Sequence, residues 1–317
     1  MKKKIFVTGG TGFFGKSLLR HLQLNNLYEE YEIYIFSRNP DKFVKNCHKS
    51  IDLTQVKFIQ GDVLNPDSLP HNKFDYVIHA ATDSTFGPEL GLVHRSSQIV
   101  DGTSNILKWC EQSQVLKFLY ISSGGVYGNS NVKVDENHLS APDTLEINST
   151  YSISKRFSEH LCALYLKEYG IPFAIARCFS FVGIDLPRDA HFAIGNFLQN
   201  AMQNEDIIIN GDGSPIRSYM NQYDLADWLM QILISKKATG VFNVGSSEEI
   251  SLIQLAELIH KMTGCKGEIV VQNGLNPAHS NGRNIYVPDI RKAKDVLGLK
   301  CSKNLRESLR DIIQELL

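Results

Sequence analysis

Lys4-Ile5-Phe6-Val7-Thr8-Gly9-Gly10-Thr11-Gly12-Phe13-Phe14-Gly15 is the stretch on which the fold turns. A short apolar segment runs into a glycine cluster, and Phe14, Leu18 and Leu22 then recur at helical spacing. The order is strand, tight turn, helix. Gly10, Gly12 and Gly15 satisfy G-x-G-x-x-G, and Gly9, Gly12 and Gly15 equally satisfy G-x-x-G-x-x-G. Glycines there let the backbone turn sharply and approach a pyrophosphate, while the helix N-terminus offers unpaired N–H groups and the positive end of its dipole. In that context the stretch predicts a bound dinucleotide, with Gly9, Gly12, Phe13, Phe14 and Gly15 around it.

Strand-like segments follow at residues 32–36, 56–60, 76–79, 117–121 and 173–176, with helical stretches between them, clearest at 97–111 and 151–169. Their apolar runs are short and largely unbroken, as suits strands buried on both faces. The alternation predicts an α/β protein: a Rossmann-type doubly wound parallel sheet over residues 1–178. Residues 179–317 read as a smaller α/β lobe, interleaved with the first and lying over the carboxyl edge of the sheet, where open α/β folds bind ligands. Short β segments at 206–209, 241–244 and 268–271 are assigned to that lobe.

At the end of the second strand stand Ser37 and Arg38. An acidic residue there would accept hydrogen bonds from a ribose 2′-hydroxyl and favour NAD. A hydroxyl and a cation suit a 2′-phosphate instead, so NADP is favoured over NAD.

The 317 residues carry a formal net charge of −1 and 43% hydrophobic residues, which speaks for a folded core and against nucleic acid or a membrane as partner. No apolar run approaches the roughly 18 residues that span a bilayer, and the first residues lack a secretory signal pattern. The cytosol is the expected compartment. Six scattered cysteines and ten histidines form no metal-ligand spacing, so neither a metal site nor a disulfide framework is expected.

Tyr151 and Lys155 stand four apart at the start of a helix, so their side chains share a face. Phe157, Leu161 and Leu164 of that helix are expected to face the core. A free tyrosine is a poor base near neutrality, and a neighbouring ammonium favours its phenolate. Ser122 and Ser123 end the preceding strand, where a hydroxyl can hold a substrate oxygen beside Tyr151.

Together these motifs resemble the extended short-chain dehydrogenases/reductases, specifically the NAD(P)-dependent nucleotide-sugar epimerase/dehydratase family. The matches run nearly end to end. They comprise residues 8–15, Gly61-Asp62-Val63, His79-Ala80-Ala81, Ser122-Ser123 with Val126-Tyr127-Gly128, and Tyr151-Ser152-Ile153-Ser154-Lys155. Arg177 with Gly183, Gly211-Asp212-Gly213 with Arg217, and Asp224-Leu225-Ala226 complete them. The resemblance implies that Asp62 and Val63 contact the adenine, Ala80 and Ala81 line the pyrophosphate, and Lys155 holds the nicotinamide ribose. It makes Tyr151 the acid/base and Ser123 the group that orients the sugar oxygen. Ser180, Arg217 and Arg283 become substrate contacts, the arginines toward the diphosphate.

The departures narrow the chemistry. Gly124-Gly125 stands where family 4,6-dehydratases carry an Asp-Glu pair, Ser180 replaces an asparagine of the R-x-x-N stretch, and Ile99 replaces that of N-V-x-G-T. The resemblance therefore implies hydride transfer at C4 of a nucleotide-linked hexose, by 4-epimerisation or 4-keto reduction. A 4,6-dehydratase and a non-catalytic NAD(P)-sensing protein are the alternatives. It also implies a homodimer paired through the helices at 97–111 and 151–169.

Overall fold

The computed structural model describes residues 1–82, 91–190, 192–272 and 284–317. Six strands come first: β1 (Lys3–Thr8), β2 (Tyr31–Ser37), β3 (Val56–Gln60), β4 (Tyr76–His79), β5 (Lys117–Ser123) and β6 (Phe173–Cys178). They alternate with α1 (Phe13–Leu24), α2 (Pro40–Asn46), α3 (Leu92–Ser113) and α4 (Thr150–Tyr169). Beyond β6 come β7 (Phe181–Val182), α5 (Ala193–Met202), β8 (Ile207–Asn210), β9 (Ile216–Arg217), β10 (Met220–Asn221), α6 (Gln222–Ile234) and β11 (Gly240–Val244). The chain closes with β12 (Ile250–Ser251), α7 (Leu252–Thr263), β13 (Ile269–Gln272), β14 (Ile285–Tyr286), α8 (Arg291–Leu297) and α9 (Leu305–Leu316).

The main sheet is parallel throughout, in the order β11-β6-β5-β4-β1-β2-β3. Its order reverses at β1, which puts the glycine loop at the switch point where such sheets open a crevice. Leu18 and Leu22 of α1 pack with Leu225 and Trp228 of α6 on one face, and Ile106 of α3 with Cys162 of α4 on the other. The smaller lobe has its own core, in which Phe197, Ile207, Leu255, Ile259 and Leu309 meet.

Two expectations are corrected. Residues 241–244, assigned from sequence to the smaller lobe, belong to β11 and pair with β6. Phe242 and Val244 are fully buried there, so the strand both fills the core and covers the backbone edge that β6 would otherwise expose. The second correction concerns α4. Phe157 and Leu164 are 49% and 40% exposed, while Ser152, Ser154, Lys155, Ser158, Glu159 and Cys162 form the buried face. Turning Lys155 toward the sheet fixes this, because position 157 then lies roughly 200° around the helix. Leu161 stays partly buried against the α3 side of the core.

A buried ion pair, Arg20 with Asp185, joins the lobes and is held by polar neighbours on both sides. Arg20 of α1 donates from Nε to Asp185 at 2.6 Å and from Nη1 to Ser50 at 2.8 Å, and Gln222 reaches the same carboxylate at 3.2 Å. Lys117 closes the end of α6 by donating to the carbonyls of Ile232 and Ser235 at 2.7 and 2.8 Å. No helix among the described residues is long and apolar enough to cross a membrane.

Candidate active site

The glycine loop owes its shape to close backbone contacts. Gly9 has φ +71°, and a Cβ there would lie 2.3 Å from the Ala80 carbonyl oxygen, so the loop sits flush against the end of β4. A Cβ on Gly15 would lie 1.9 Å from the Gly10 oxygen, which lets α1 begin directly beneath the loop. Gly12 differs: a Cβ would meet nothing of the protein nearer than 3.5 Å. Packing does not require glycine at that position, and the open space lies at the N-terminus of α1, where a phosphate is held by free N–H groups. The chain's own residues thus fit a dinucleotide.

A buried network braces the loop from below. Thr103 donates to the Ile99 carbonyl at 2.6 Å, so its oxygen accepts from His79 Nε2 at 3.1 Å. Nδ1 then accepts from the Thr8 hydroxyl at 2.7 Å, and Thr8 itself accepts from the Ala81 amide at 3.3 Å. Burial, aided by the nearby Lys155 charge, lowers the His79 pKa to about 3. The imidazole is neutral and structural.

A cavity of about 1100 Å³ runs from this loop to the end of β5. Gly9, Gly12, Phe13, Phe14, Ser37, Arg38, Asp62, Val63, Ala80 and Ala81 line it from the loop side. Ser123, Tyr151, Lys155, Ser180 and Arg217 line the remainder. Gly15 is not on the wall; it serves the contact between loop and helix. Arg283 lies outside the described residues.

Lys155, 3% exposed, donates to the Ile121 carbonyl at 2.7 Å and sits 4.8 Å from the Tyr120 ring centre and 5.9 Å from that of Tyr151. Burial lowers its pKa to about 7, against the opposing pull of Cys178, Glu159 and Cys162. One turn further on, Glu159 accepts from Ser122 at 2.6 Å and from Arg177 at 2.6 and 3.0 Å. Ser123 Oγ accepts from the Gly125 amide at 3.1 Å and lies 3.4 Å from the Tyr286 hydroxyl.

The charge balance at Tyr151 differs from the expectation. Burial and the neighbouring Tyr286 push the phenol well above its ordinary pKa, whereas a hydrogen bond from Ser123 and the charge of Arg95 pull it down. Burial wins, so the phenol is protonated. Two cations lie over its ring, Arg95 with Cζ 4.9 Å from the centroid and Lys155 with Nζ 5.9 Å from it, the latter also donating to the Ile121 carbonyl.

Arg95, Tyr286 and Phe179 are site residues that the motifs did not include. Tyr286 packs on Phe179 with ring centres 4.8 Å apart, and the Arg217 guanidinium lies 5.9 Å from the Tyr286 ring. Phe179 also explains Gly124, since a Cβ there would lie 2.8 Å from the ring. The glycine pair in the sequence was the visible trace of this aromatic wall. Tyr286 left no comparable trace, because it reaches Ser123 across 163 positions of sequence.

A model of the NAD dependent epimerase/dehydratase family matches residues 5–245. Over 316 residues the chain is 29% identical to a Methanocaldococcus jannaschii protein named as a candidate UDP-glucose 4-epimerase, covering 98% of this chain and 97% of that one. It is 27% identical over 318 residues to UDP-glucuronic acid decarboxylase 1 of Xenopus tropicalis, covering 98% and 72%. Among solved structures, a UDP-glucose 4-epimerase of Thermotoga maritima with UDP-glucose has the same fold, with TM-score 0.85 at 23% identity over 99% of this chain and 98% of that one.

The Lys155 pKa of about 7, against an ordinary 10.5, gives the site a pH signature. Between those values the folded chain holds fewer protons than the unfolded chain, so stability rises with pH across the window and the cost of the buried charge is complete below it. Urea midpoints of the cofactor-free protein and Lys155→Met are compared in steps from pH about 6 to about 9. The expected outcome is that the parent gains on the variant as pH rises; a constant difference would show that the ammonium is not desolvated.

Proposed function

Because the chain belongs to the NAD dependent epimerase/dehydratase family, we propose that it acts on a nucleotide-activated hexose, with hydride transfer at C4 by 4-epimerisation or 4-keto reduction. One observation carries the reading: Tyr151, Ser123 and Lys155 meet in a single cavity whose far end is the glycine loop. The carboxylates among the described lining residues are Asp62, Asp185 and Asp189, and Gly124 follows Ser123. Asp185 is already bound to Arg20. That distribution supports simple C4 chemistry over elimination across C5 and C6.

The nicotinamide, when bound, supplies the acceptor and donor of hydride. Gly9 and Gly12 would face its pyrophosphate, Asp62 and Val63 its adenine, and Lys155 its ribose. Ser123 holds the C4 oxygen of the sugar, and Tyr151 moves the proton at that oxygen. In the reductive direction the phenol donates, which its protonated state in the buried site favours. In the oxidative direction the base is its phenolate, which accepts the 4-hydroxyl proton as hydride leaves C4, and the phenol so formed later returns that proton. Arg217 meets the diphosphate, and Ser180 takes the position of the family's asparagine beside the sugar. A 4,6-dehydratase or decarboxylase is the second reading, supported by the decarboxylase relative. Product analysis with UDP-, dTDP-, CDP- and GDP-linked hexoses, and with UDP-glucuronic acid for the decarboxylase, separates the two.

Tyr151→Phe keeps the ring and removes the proton donor. Turnover is expected to fall about 10²–10⁴-fold with fold and cofactor affinity retained. Hydride exchange at the parent rate would refute the acid/base role.

Ser37 and Arg38 at the end of β2 support NADP as the preferred cofactor. Titration of both cofactors against the protein and Arg38→Ala tests this, with a selective loss of NADP affinity expected. An unchanged ratio of affinities would overturn the preference.

The exposed Phe157 and Leu164 of α4, with Val93 of α3 at 84% exposure, support a homodimer paired through these helices. Light scattering at micromolar concentration is expected to give twice the chain mass of 35.6 kDa, and a monomer mass would exclude the dimer.

A further inference from the structure

We propose that Arg95, which no motif of the sequence includes, is a positioning residue for Tyr151: a permanent cation laid on the phenol face that favours loss of its proton. This rests on the reading of Tyr151 as the acid/base group. The geometry comes from the first turn of α3. The Arg95 amide bonds the Gly91 carbonyl at 2.9 Å, and the Ser96 and Ser154 hydroxyls meet at 3.0 Å, tying that turn to the turn of α4 that carries Tyr151. The guanidinium is half-buried, lines the active cavity and sits 4.9 Å from the Tyr151 ring centre.

The choice of cation follows from burial. A guanidinium stays charged in a half-buried site and stacks flat on an aromatic face, where it attracts the ring's electrons and the phenolate more strongly still. An ammonium loses its charge readily when desolvated, as Lys155 does with its pKa of about 7. Lys155 is also farther from the ring, 5.9 Å from its centre, and gives one N–H to the Ile121 carbonyl. Around neutrality, then, Arg95 is the fully charged partner of the phenol. Among the described residues, the other groups facing Tyr151 are Tyr120 and Ser123 of β5, Cys178 of β6, Lys155 of its own helix and Tyr286 of β14. Of these, Ser123 joins Arg95 in drawing the phenol pKa down, while Tyr286 and Cys178 raise it.

The test reads the phenol itself and needs no substrate. Tyr151→3,5-difluorotyrosine places a probe at the site whose fluorine NMR shift reports ionisation of that one ring. Its titration midpoint is followed with Arg95 intact, in Arg95→Met and in Arg95→Lys, each with oxidised cofactor bound. Removing the charge is expected to raise the midpoint by roughly 1 pH unit or more, and lysine is expected to recover part of that shift. An unchanged midpoint in Arg95→Met overturns the proposal. So does an equal rise in both variants, which would trace the effect to ring packing. If Arg95→Met does not fold, Arg95→Gln reads the same loss of charge. A shifted midpoint in a protein that turns over no nucleotide sugar would refute the proposed function and leave the role of Arg95 standing.

Discussion

A buried ammonium bonded to a main-chain oxygen sets the geometry on which the site depends. Lys155 reaches from α4 to the Ile121 carbonyl of β5 at 2.7 Å, and that bond spaces the helix bearing Tyr151 from the strand end bearing Ser123. The approach is possible because α4 turns Ser152, Ser154 and Ser158 inward, where larger side chains would hold it away. Losing either partner leaves a buried polar group unsatisfied at a cost of about 1–3 kcal/mol or more. Glu159 continues the seam by binding Ser122 and Arg177, so β5, β6 and α4 are fastened at one level of the sheet.

The same burial that fixes the geometry sets the electrostatics. It weakens the Lys155 charge and raises the Tyr151 phenol, so the two effects oppose the simple picture of a lysine that ionises its neighbour. A half-buried arginine on the ring face compensates in part. The net result is a Tyr151 phenol that keeps its proton.

Much of this was legible in the sequence because it is local. The glycine loop needs only eight residues to declare itself, and Tyr151 with Lys155 needs only one helical turn. The central strands likewise announce themselves as short apolar runs. What escaped depends on contacts between distant segments: Arg95 against Tyr151, Tyr286 against Ser123, and β11 beside β6. The exposed side of α4 escaped for a different reason. Its apolar residues match helical spacing as well as a core face would, and the demand to bury Lys155 chose the other face.

The position of β11 in the sheet has a consequence for how the chain is made. Until residue 244 has left the ribosome, β6 is a bare edge whose N–H and C=O groups can template pairing with another nascent chain. Closure waits on the long passage through β7 to α6, which raises the separation of the contacts that finish the sheet and slows their formation. A fragment ending near Cys178 therefore holds the glycine loop and the Tyr151–Lys155 pair but not a finished sheet. Cutting the gene there would yield an aggregation-prone piece rather than an autonomous binding module.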